Sequence, residues 1–532
     1  MAPNPSQILL LALAGAVLIS GSQSANILGI FTSISPSHVI IQMSMIKVLA
    51  ENGHNVTVIT TLKPVVNHPN ITVIQIPLTP EEDKQLTQMI TGMTNQESKN
   101  MFYTMYQIAT QMTLVFDKME SVIIDQRVKD LYENHDNRFD LVFLGFFMNN
   151  FQLGLAQKLK APVVIAASMA PSEILNYLVG NPAELSYVPT FQIAVEKNQA
   201  MTFGQRLKNY IASVGSFLFV TYIGHRNGKI YSSHFGNDPT MPSYTELEKN
   251  VSLVFFASHG ISEGPIRPNV PAAIEVGGIQ IKDKPDSLPQ NLAKFLNEAK
   301  HGSILLSLGS NVKSSLLKPE IVQKIFSVLS KLKQNVIWKW EDLENTPGKS
   351  ANILYSKWVP QDDILAHPKL KLFITHAGKG GITEAQYHGK PMLALPVFGD
   401  QPANADSMVK AGFGVSLDLL TLEEESFKES LLEVLENPKY AQAVGTFSSL
   451  YRDRPLSARE SVLYWSEYVI RHRGAPHLQS PLVHMGFVAV YNLDVYLLSA
   501  SILLISLLLL KFSIKFVYRK INAKKSQKIK KQ

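Results

Sequence analysis

The chain has 532 residues, of which 45% are hydrophobic and 17% charged, and it contains no cysteine. This composition is typical of a folded protein of two or three domains, and it excludes disulfides, thiol catalysis and cysteine metal sites. The formal net charge is +7, but nine of the 50 basic residues follow residue 510, with no acidic residue among them. The other 41 basic residues stand against 43 acidic ones, so we predict no nucleic-acid partner.

Residues 1–24 are predicted to be a cleaved secretory signal peptide. Their apolar run, from Ile8 to Ile19, is too short to span a bilayer comfortably, and mostly small residues follow it. Because the segment lacks the Lys or Arg that usually precedes such a run, a buried first helix is the alternative interpretation.

Residues 25–270 alternate apolar strands with helices, which is the pattern of a parallel sheet flanked by helices. Strands are predicted at 26–31, 55–60, 139–147 and 161–168, and a turn and helix at 35–54. Residues 271–290 belong to a stretch that is rich in Pro and Gly and has no helical period, so we predict a linker there.

A second strand–helix series fills residues 291–475 and predicts a second domain of the same α/β type. Its strands are predicted at 302–310, 335–340, 352–360, 370–376 and 391–398. Open parallel sheets bind ligands beyond the carboxyl ends of their strands. Two such sheets facing each other would leave a cleft with one substrate on each side.

His38 is a candidate general base in the first domain. It ends the loop TSISPSH after the first strand and begins a helix. A helix N-terminus disfavours the imidazolium, so the ring would stay neutral and able to accept a proton. A capping role is the alternative interpretation for a histidine at this position.

The stretch FITHAGKGGITEAQYHGKPMLALPVFGDQ, residues 373–401, predicts a phosphate site. A strand that ends in a glycine turn and leads into a helix presents backbone N–H groups and a positive dipole end to an anion. Gly378, Gly380 and Gly381 would let the backbone approach a phosphate closely, and His376 could donate to a phosphate oxygen.

Neighbouring residues supply groups for the rest of a nucleotide diphosphate sugar. Glu384 could accept hydrogen bonds from two ribose hydroxyls, and Asp400 and Gln401 could bind the hydroxyls of the sugar. Three residues upstream complete the predicted donor site: Trp358 as a flat face for the base, Gln361 as an amide for its edge, and Ser310 as a phosphate ligand. The sequence has no Asp-x-Asp pair, so we expect no metal; helix termini and side-chain donors would neutralise the diphosphate.

Residues 491–514 are predicted to form one transmembrane helix, because their central part carries no charge and the stretch reaches the ~20 residues that a span needs. The basic tail, 515–532, is predicted to be cytosolic, which makes the preceding domains lumenal in a single-pass type I topology. Lys528 and Lys530 near the C-terminus resemble a dilysine retrieval signal of the endoplasmic reticulum. A solvated basic tail is the alternative.

The segment from KWVPQ (357–361) to GDQPANA (399–405) resembles the signature of the membrane-bound UDP-glycosyltransferases nearly throughout. PNVPAAIEVGG (268–278) and DRPLSARESVLYWSEYVIRH (453–472) extend the resemblance, which is more insect-like than vertebrate-like in detail. One departure is Ala377, where the family usually has a second glycine; we expect its methyl group to be tolerated.

The resemblance implies a GT-B fold, in which two Rossmann-like domains face each other and the C-terminal domain holds the donor. It implies inverting transfer of a hexose from a UDP-sugar to a hydroxyl of a small lipophilic acceptor, with His38 as the general base. No cofactor is expected, and the resemblance is compatible with a homo-oligomer, with detoxification in the endoplasmic reticulum and with glycosylation of the lumenal part.

The family pairs its catalytic histidine with an aspartate near the end of a strand that resembles FDLVFLGFFMNN. The equivalent position here is Gly145 or Asn150, and neither is acidic; Asp140 lies at the wrong end of the strand. The enzyme would then be slow, or another carboxylate would substitute. Alternatively, the chain is a UDP-sugar- or lipophile-binding membrane protein with weak or no catalysis.

The resemblance suggests residues 251–260 as a segment where a glucuronate-handling relative could supply a cation for the sugar carboxylate. This segment contains no Arg or Lys here, so glucose is the favoured sugar. A membrane receptor or adhesion ectodomain is disfavoured by the lack of cysteine and by the donor motif.

Overall fold

The structure, a computed structural model, describes residues 24–95, 101–190, 200–261 and 267–529. All but the last residue of the predicted signal peptide, 1–24, lies outside these described residues. Residues 1–479 form one compact unit and residues 480–532 a second.

The first sheet has seven parallel strands in the order β3-β2-β1-β4-β5-β6-β7. They are β1 (Asn26–Phe31), β2 (Asn55–Thr60), β3 (Ile71–Gln75), β4 (Leu141–Gly145), β5 (Val163–Ala167), β6 (Val251–Phe256) and β7 (Ala273–Glu275). The central strands are buried along nearly their whole length, as expected where helices cover both faces of a parallel sheet.

In the described part of the chain, eight helices lie between β1 and β7 in sequence. They are α1 (Pro36–Glu51), α2 (Pro80–Thr94), α3 (Met101–Ile124), α4 (Gln126–Glu133), α5 (Leu153–Lys158), α6 (Glu173–Val179), α7 (Phe203–Phe235) and α8 (Tyr244–Glu248). Local sequence explains several starts: α1 follows an extended Ser35 and begins with a proline, and α7 begins with a capping box between Thr202 and Gln205.

The second sheet has six parallel strands in the order β10-β9-β8-β11-β12-β13. They are β8 (Ser303–Ser307), β9 (Asn335–Lys339), β10 (Ile353–Ser356), β11 (Leu370–Thr375), β12 (Met392–Ala394) and β13 (Gly414–Ser416). Its helices are α9 (Gln290–Asn297), α10 (Pro319–Leu329), α11 (Gln361–Ala366), α12 (Lys379–Tyr387), α13 (Gln401–Lys410), α14 (Glu424–Glu436) and α15 (Pro438–Arg452).

Two apolar clusters cover the two faces of the second sheet. Ile304 and Leu306 of β8 belong to one cluster, whereas Leu305 between them belongs to the other. This alternation follows from the two-residue period of a strand, and it explains why the strands of this sheet are apolar at nearly every position.

The packing departs from the predicted domain division, 25–270 and 291–475, at two places. The predicted linker, 271–290, begins with β7, which pairs with β6 and completes the first sheet. The last helix before residue 475, α16 (Ala458–Arg471), contributes Val462 and Val469 to the core of the first domain. The apolar face of α16 is buried there, against α1, so the chain returns to its first domain.

The second unit contains α17 (Phe487–Val490) and the long helix α18 (Leu493–Ile529). Within α18, Leu493–Ser526 is long and apolar enough to cross a membrane, with a mean hydropathy of 2.3 over its most apolar window. The helix begins two residues after the predicted start of the span and continues through most of the predicted tail, 515–532.

Candidate functional site

One cavity of about 1490 Å³ lies at the carboxyl ends of both sheets. It is lined by His38 of the first domain and by all the predicted donor residues of the second: Ser310, Trp358, Gln361, His376, Gly378, Gly380, Gly381, Glu384, Asp400 and Gln401. These residues come from five separate loops and helix starts, which the two parallel sheets bring to one cleft.

His38 lies in the first turn of α1, and its backbone N–H donates to the Ser35 carbonyl. Its ring packs at 5.1 Å from the ring of Phe147, and its Nδ1 lies 3.5 Å from the Ser33 hydroxyl. Burial lowers the pKa of the His38 imidazole to about 4. The ring is therefore neutral at physiological pH, as predicted, and burial is the physical cause.

Asn150 belongs to a polar network within the first domain. The Asn150 amide donates to the Tyr177 hydroxyl at 2.8 Å and to the Glu248 carboxylate at 2.7 Å. Asn150 lines a small separate pocket rather than the cleft. The hydrogen bonds of its amide nitrogen thus go to residues 27 and 98 positions further along the chain, and its role as the partner of His38 stays a prediction.

Gly145, the other candidate for the partner position, lies at the end of β4 with its side-chain space occupied. A Cβ atom there would lie 2.6 Å from the amide carbon and oxygen of Gln42. Gln42 is 0% exposed and extends from α1 one turn after His38. Its Oε1 has no hydrogen-bond partner among the described residues. An amide thus fills the space that a side chain at position 145 would need.

The glycine turn before α12 makes room for the His376 ring. A Cβ atom at Gly309 or at Gly378 would overlap that imidazole. Burial, together with the smaller effect of the Lys339 ammonium, lowers the pKa of His376 to about 4. Its Nδ1 is buried with no hydrogen-bond partner among the described residues.

Ala377 adopts φ 63°, a left-handed conformation that favours glycine. The methyl group at this position was predicted to be tolerated. The structure accommodates it in a buried position, but with backbone strain of about 1–2 kcal/mol. The Asn404 amide donates to the Ala377 carbonyl and holds this turn against α13.

Glu384 lies in the second turn of α12 and accepts a 2.7 Å hydrogen bond from the Gln361 amide. Burial raises the pKa of Glu384 to about 7, and the charges of Asp362 and Asp363 add to this shift. The amide hydrogen of Gln361 therefore positions Glu384, while the Gln361 carbonyl oxygen remains for the predicted contact with a base edge.

The loop before α13 carries the predicted sugar-binding pair. The Gln401 side-chain carbonyl accepts hydrogen bonds from the N–H groups of Val397 and Phe398, so this half of the amide organises the loop. Asp400 accepts from Asn404 at 2.6 Å. Burial raises the pKa of Asp400, whereas the neighbouring Lys379 ammonium lowers it.

Trp358 is 57% exposed and lines the cavity. An exposed indole beside a cleft offers a ring face to a ligand, because it is not needed for packing.

Two lysines that were not predicted from the sequence line the same cavity. Lys339 ends β9, and its ammonium donates to the Gly309 carbonyl at 2.7 Å. Lys379 is the first residue of α12, and burial lowers its pKa to about 8 while Asp400 opposes that shift. Two sequence features could have indicated these cations: a lysine at the end of an apolar strand (NVIWKW) and a lysine inside a glycine turn (GKGG).

Contacts between the domains bring the donor loops to the loop that carries His38. The Asn311 amide donates to the Ser35 hydroxyl at 3.2 Å, next to the start of α1. Gln280, in the connection between the domains, donates to the Gly380 carbonyl at 3.4 Å. The candidate base and the candidate phosphate site therefore share one cleft.

Comparison with known proteins gives matches over nearly the whole chain. Residues 27–528 match the model of the family described as "UDP-glucoronosyl and UDP-glucosyl transferase". UDP-glucosyltransferase 2 of Dactylopius coccus is 33% identical, over 99% of both chains. Human UDP-glucuronosyltransferase 1A8 is 32% identical, over 78% of this chain and 76% of the human one.

Solved structures share the fold. A UDP-glucosyltransferase from Polygonum tinctorium "capable of glucosylating indoxyl" superposes with a TM-score of 0.55 at 14% identity, over 84% of this chain and 99% of that chain. The glycotransferase of kitacinnamycin gives a TM-score of 0.53 at 15% identity, with the same coverage. At these identities the likeness shows the fold alone, which is GT-B.

Proposed function

The chain belongs to the UDP-glycosyltransferase family, and from this premise we propose that it transfers glucose from UDP-glucose to a hydroxyl of a small lipophilic acceptor. The transfer inverts the anomeric centre, uses His38 as the general base and needs no metal. The observation that carries this proposal is that His38 and the complete set of predicted donor residues line one cavity.

The donor half of the cavity suits UDP-glucose. The first backbone N–H groups of α12 have no acceptor within the helix, and they face the cleft beside His376 and Ser310. These groups and the Lys339 ammonium bind the diphosphate, Glu384 accepts from the ribose, and Trp358 stacks on the uracil. Asp400 and Gln401 bind the sugar hydroxyls.

The acid–base step follows from the environment of His38. A neutral imidazole takes the acceptor's proton as the acceptor oxygen attacks the anomeric carbon and the UDP oxygen leaves. The resulting imidazolium has no carboxylate paired with it among the described residues. The negative charge that develops on the diphosphate in the same cleft offsets it in part.

The lining of the cavity as a whole is mainly apolar, which supports lipophilic acceptors. Side chains of the first domain contribute to this surface: Val65, Met112, Phe147, Met148, Ile174, Leu185 and Phe219. Apolar side chains of this kind bind a ligand by burying its surface.

One observation favours a second candidate donor, UDP-glucuronate. The Lys379 ammonium lies beside Asp400 at the end of the cavity assigned to the sugar. A cation there could bind a sugar carboxylate, although the nearby Asp400 carboxylate would partly oppose it. Glucose remains the first candidate because Asp400 already supplies a counter-charge for Lys379.

The activity can be tested with membranes from cells that express the full chain. They are incubated with radiolabelled UDP-glucose or UDP-glucuronate and a panel of phenols and steroids. We expect transfer from UDP-glucose, abolished in His38→Ala and unchanged in His135→Ala, a control at an exposed histidine. Donor binding without transfer to any acceptor would instead support the non-catalytic alternative. In Lys379→Gln, a selective loss of UDP-glucuronate transfer would favour the second donor.

We also propose that α18 anchors the protein in the endoplasmic reticulum membrane with both sheets in the lumen. Its apolar length and the basic residues after residue 510 support this orientation. Protease protection of residues 24–479 in sealed microsomes is the expected result. Digestion of this part without detergent would contradict the orientation.

A further inference from the structure

The long helix α7 exposes a continuous apolar stripe along its first five turns. Eight side chains form it, each 44–73% exposed: Phe203, Leu207, Tyr210, Ile211, Val214, Phe217, Leu218 and Tyr222. At 100° per residue they fall within an arc of about 140° on the helix, over roughly 30 Å of its length. A contiguous exposed apolar surface of this kind marks an interaction site rather than chance exposure.

The stripe lies outside the buried core, because α7 is anchored in the first domain mainly through its C-terminal part, which follows the stripe. Ile223, Ile230, Tyr231 and Phe235 are buried in the core of the first domain. Further along the helix, the Asn227 side chain accepts from a backbone N–H group of the short turn before α5 and donates to a carbonyl of the preceding loop. The outer face is therefore available to a partner.

The charges around the stripe favour a lipid surface. The 33 residues of α7 include no Asp or Glu, and Arg206 and Lys208 fall on opposite sides of the apolar arc. Long basic side chains can place their stems on an apolar surface and their charges at headgroup phosphates. A second copy docked face to face would instead bring these cations together.

Polar groups on the stripe are compatible with a lipid environment. The Thr221 hydroxyl, the polar group in the middle of the arc, donates to the Phe217 carbonyl at 2.8 Å within the same helix. Tyr210 and Tyr222 have the amphipathic rings that are enriched at membrane–water interfaces. The chain also carries its own candidate membrane span, so a bilayer is available to it.

We propose that the outer face of α7 lies in the interfacial layer of the bilayer that anchors the chain, as a second membrane contact separate from α18. Outside the arc of the stripe, the same helix contributes Gly215, Ser216 and Phe219 to the wall of the large cavity. A lipophilic molecule dissolved in the bilayer thus has a path to the cavity along α7. The membrane contact does not depend on the proposed function.

The lack of cysteine in the chain allows a direct test. The full chain with Ile211→Cys or Leu218→Cys is labelled with an environment-sensitive fluorophore and reconstituted in phosphatidylcholine vesicles. Ser426→Cys, at an exposed position of α14, serves as the control. We expect nitroxide groups on lipid headgroups to quench positions 211 and 218 several-fold more than position 426. We also expect aqueous iodide to quench position 426 most strongly.

Two results would overturn the proposal. Equal quenching of all three positions by iodide, with none by the lipid nitroxides, would show that the stripe faces water. Protection of position 211 from both quenchers, together with thiol crosslinking between two copies of the Ile211→Cys chain, would show that a second copy covers the stripe. Each labelled variant must unfold at the temperature of the unlabelled chain, so that a loss of structure is not mistaken for either result.

Discussion

Replacing Gly145 with aspartate tests how the site operates without a carboxylate beside His38. The new Cβ atom would lie 2.6 Å from the Gln42 amide, which is closer than non-bonded atoms pack. Overpacking of this kind costs about 1–3 kcal/mol, and a carboxylate facing the unpartnered Gln42 Oε1 adds electrostatic repulsion. We therefore expect Gly145→Asp alone to be destabilised by about 3 kcal/mol, measured by thermal or urea unfolding.

Removing the obstructing Gln42 amide should let an aspartate at position 145 fit and act on His38. His38 and Gln42 lie four residues apart on α1 and therefore share one face of it. In Gly145→Asp/Gln42→Ala, the carboxylate takes the place of the amide beside that face and can stabilise the imidazolium. We expect a rate gain of at least tenfold over Gln42→Ala, with an upper bound of the ~10⁴-fold contribution of the equivalent carboxylate in serine proteases.

The pH dependence of kcat/KM gives a second test of Gly145→Asp/Gln42→Ala. A carboxylate near His38 favours the imidazolium, so it should raise the pKa of His38 from its value of about 4. The acid limb of the kcat/KM profile should then move to higher pH in the double variant. A better-packed site with no electrostatic role would not move this limb.

Asn150→Asp is the matched control. Its carboxylate would meet Glu248 instead of His38, so we expect lower stability and no rate gain. The reasoning is refuted if Asn150→Asp accelerates the transfer, or if Gly145→Asp alone is as stable as the parent and faster.

Three further results are expected. Trp358→Ala should weaken donor binding about fivefold to tenfold, as loss of ~1 kcal/mol of stacking implies. Stability should change little because the indole is half exposed. Isothermal titration with UDP measures the affinity, and a parental value would contradict the stacking role. The pKa of Glu384 is about 7 in the free protein, and only its carboxylate form accepts from both ribose hydroxyls. UDP affinity should therefore rise with pH up to about 8, by at most tenfold per pH unit. Glu384→Gln should flatten that profile, and a profile unchanged in the variant would contradict this role. Gly309→Ala should lower both stability and UDP affinity, because the added Cβ atom would overlap the His376 ring and residue 309 has φ 81°. Parental values in calorimetry and titration would contradict the packing argument.

The strands were predictable wherever an apolar run is bounded by turn residues. The predicted strands 26–31 and 55–60 coincide with β1 and β2. The predicted strand 391–398 is in fact three residues, Met392–Ala394, because the rest of the run leaves the sheet and forms the loop that Gln401 organises. Apolar residues bury themselves equally well in a strand and in a loop beneath a helix, so composition alone does not set the end of a strand.

The sequence by itself determined the two-domain α/β architecture and the donor motif, because both depend on neighbours in the chain: periodic burial, and a strand, turn and helix in succession. Only the tertiary structure decided which groups surround His38. Contacts between residues distant in sequence set the positions of Asn150 and Gln42. They also bring Lys339 into the cleft and return α16 to the first domain. The energy of such contacts comes from packing that no local pattern encodes.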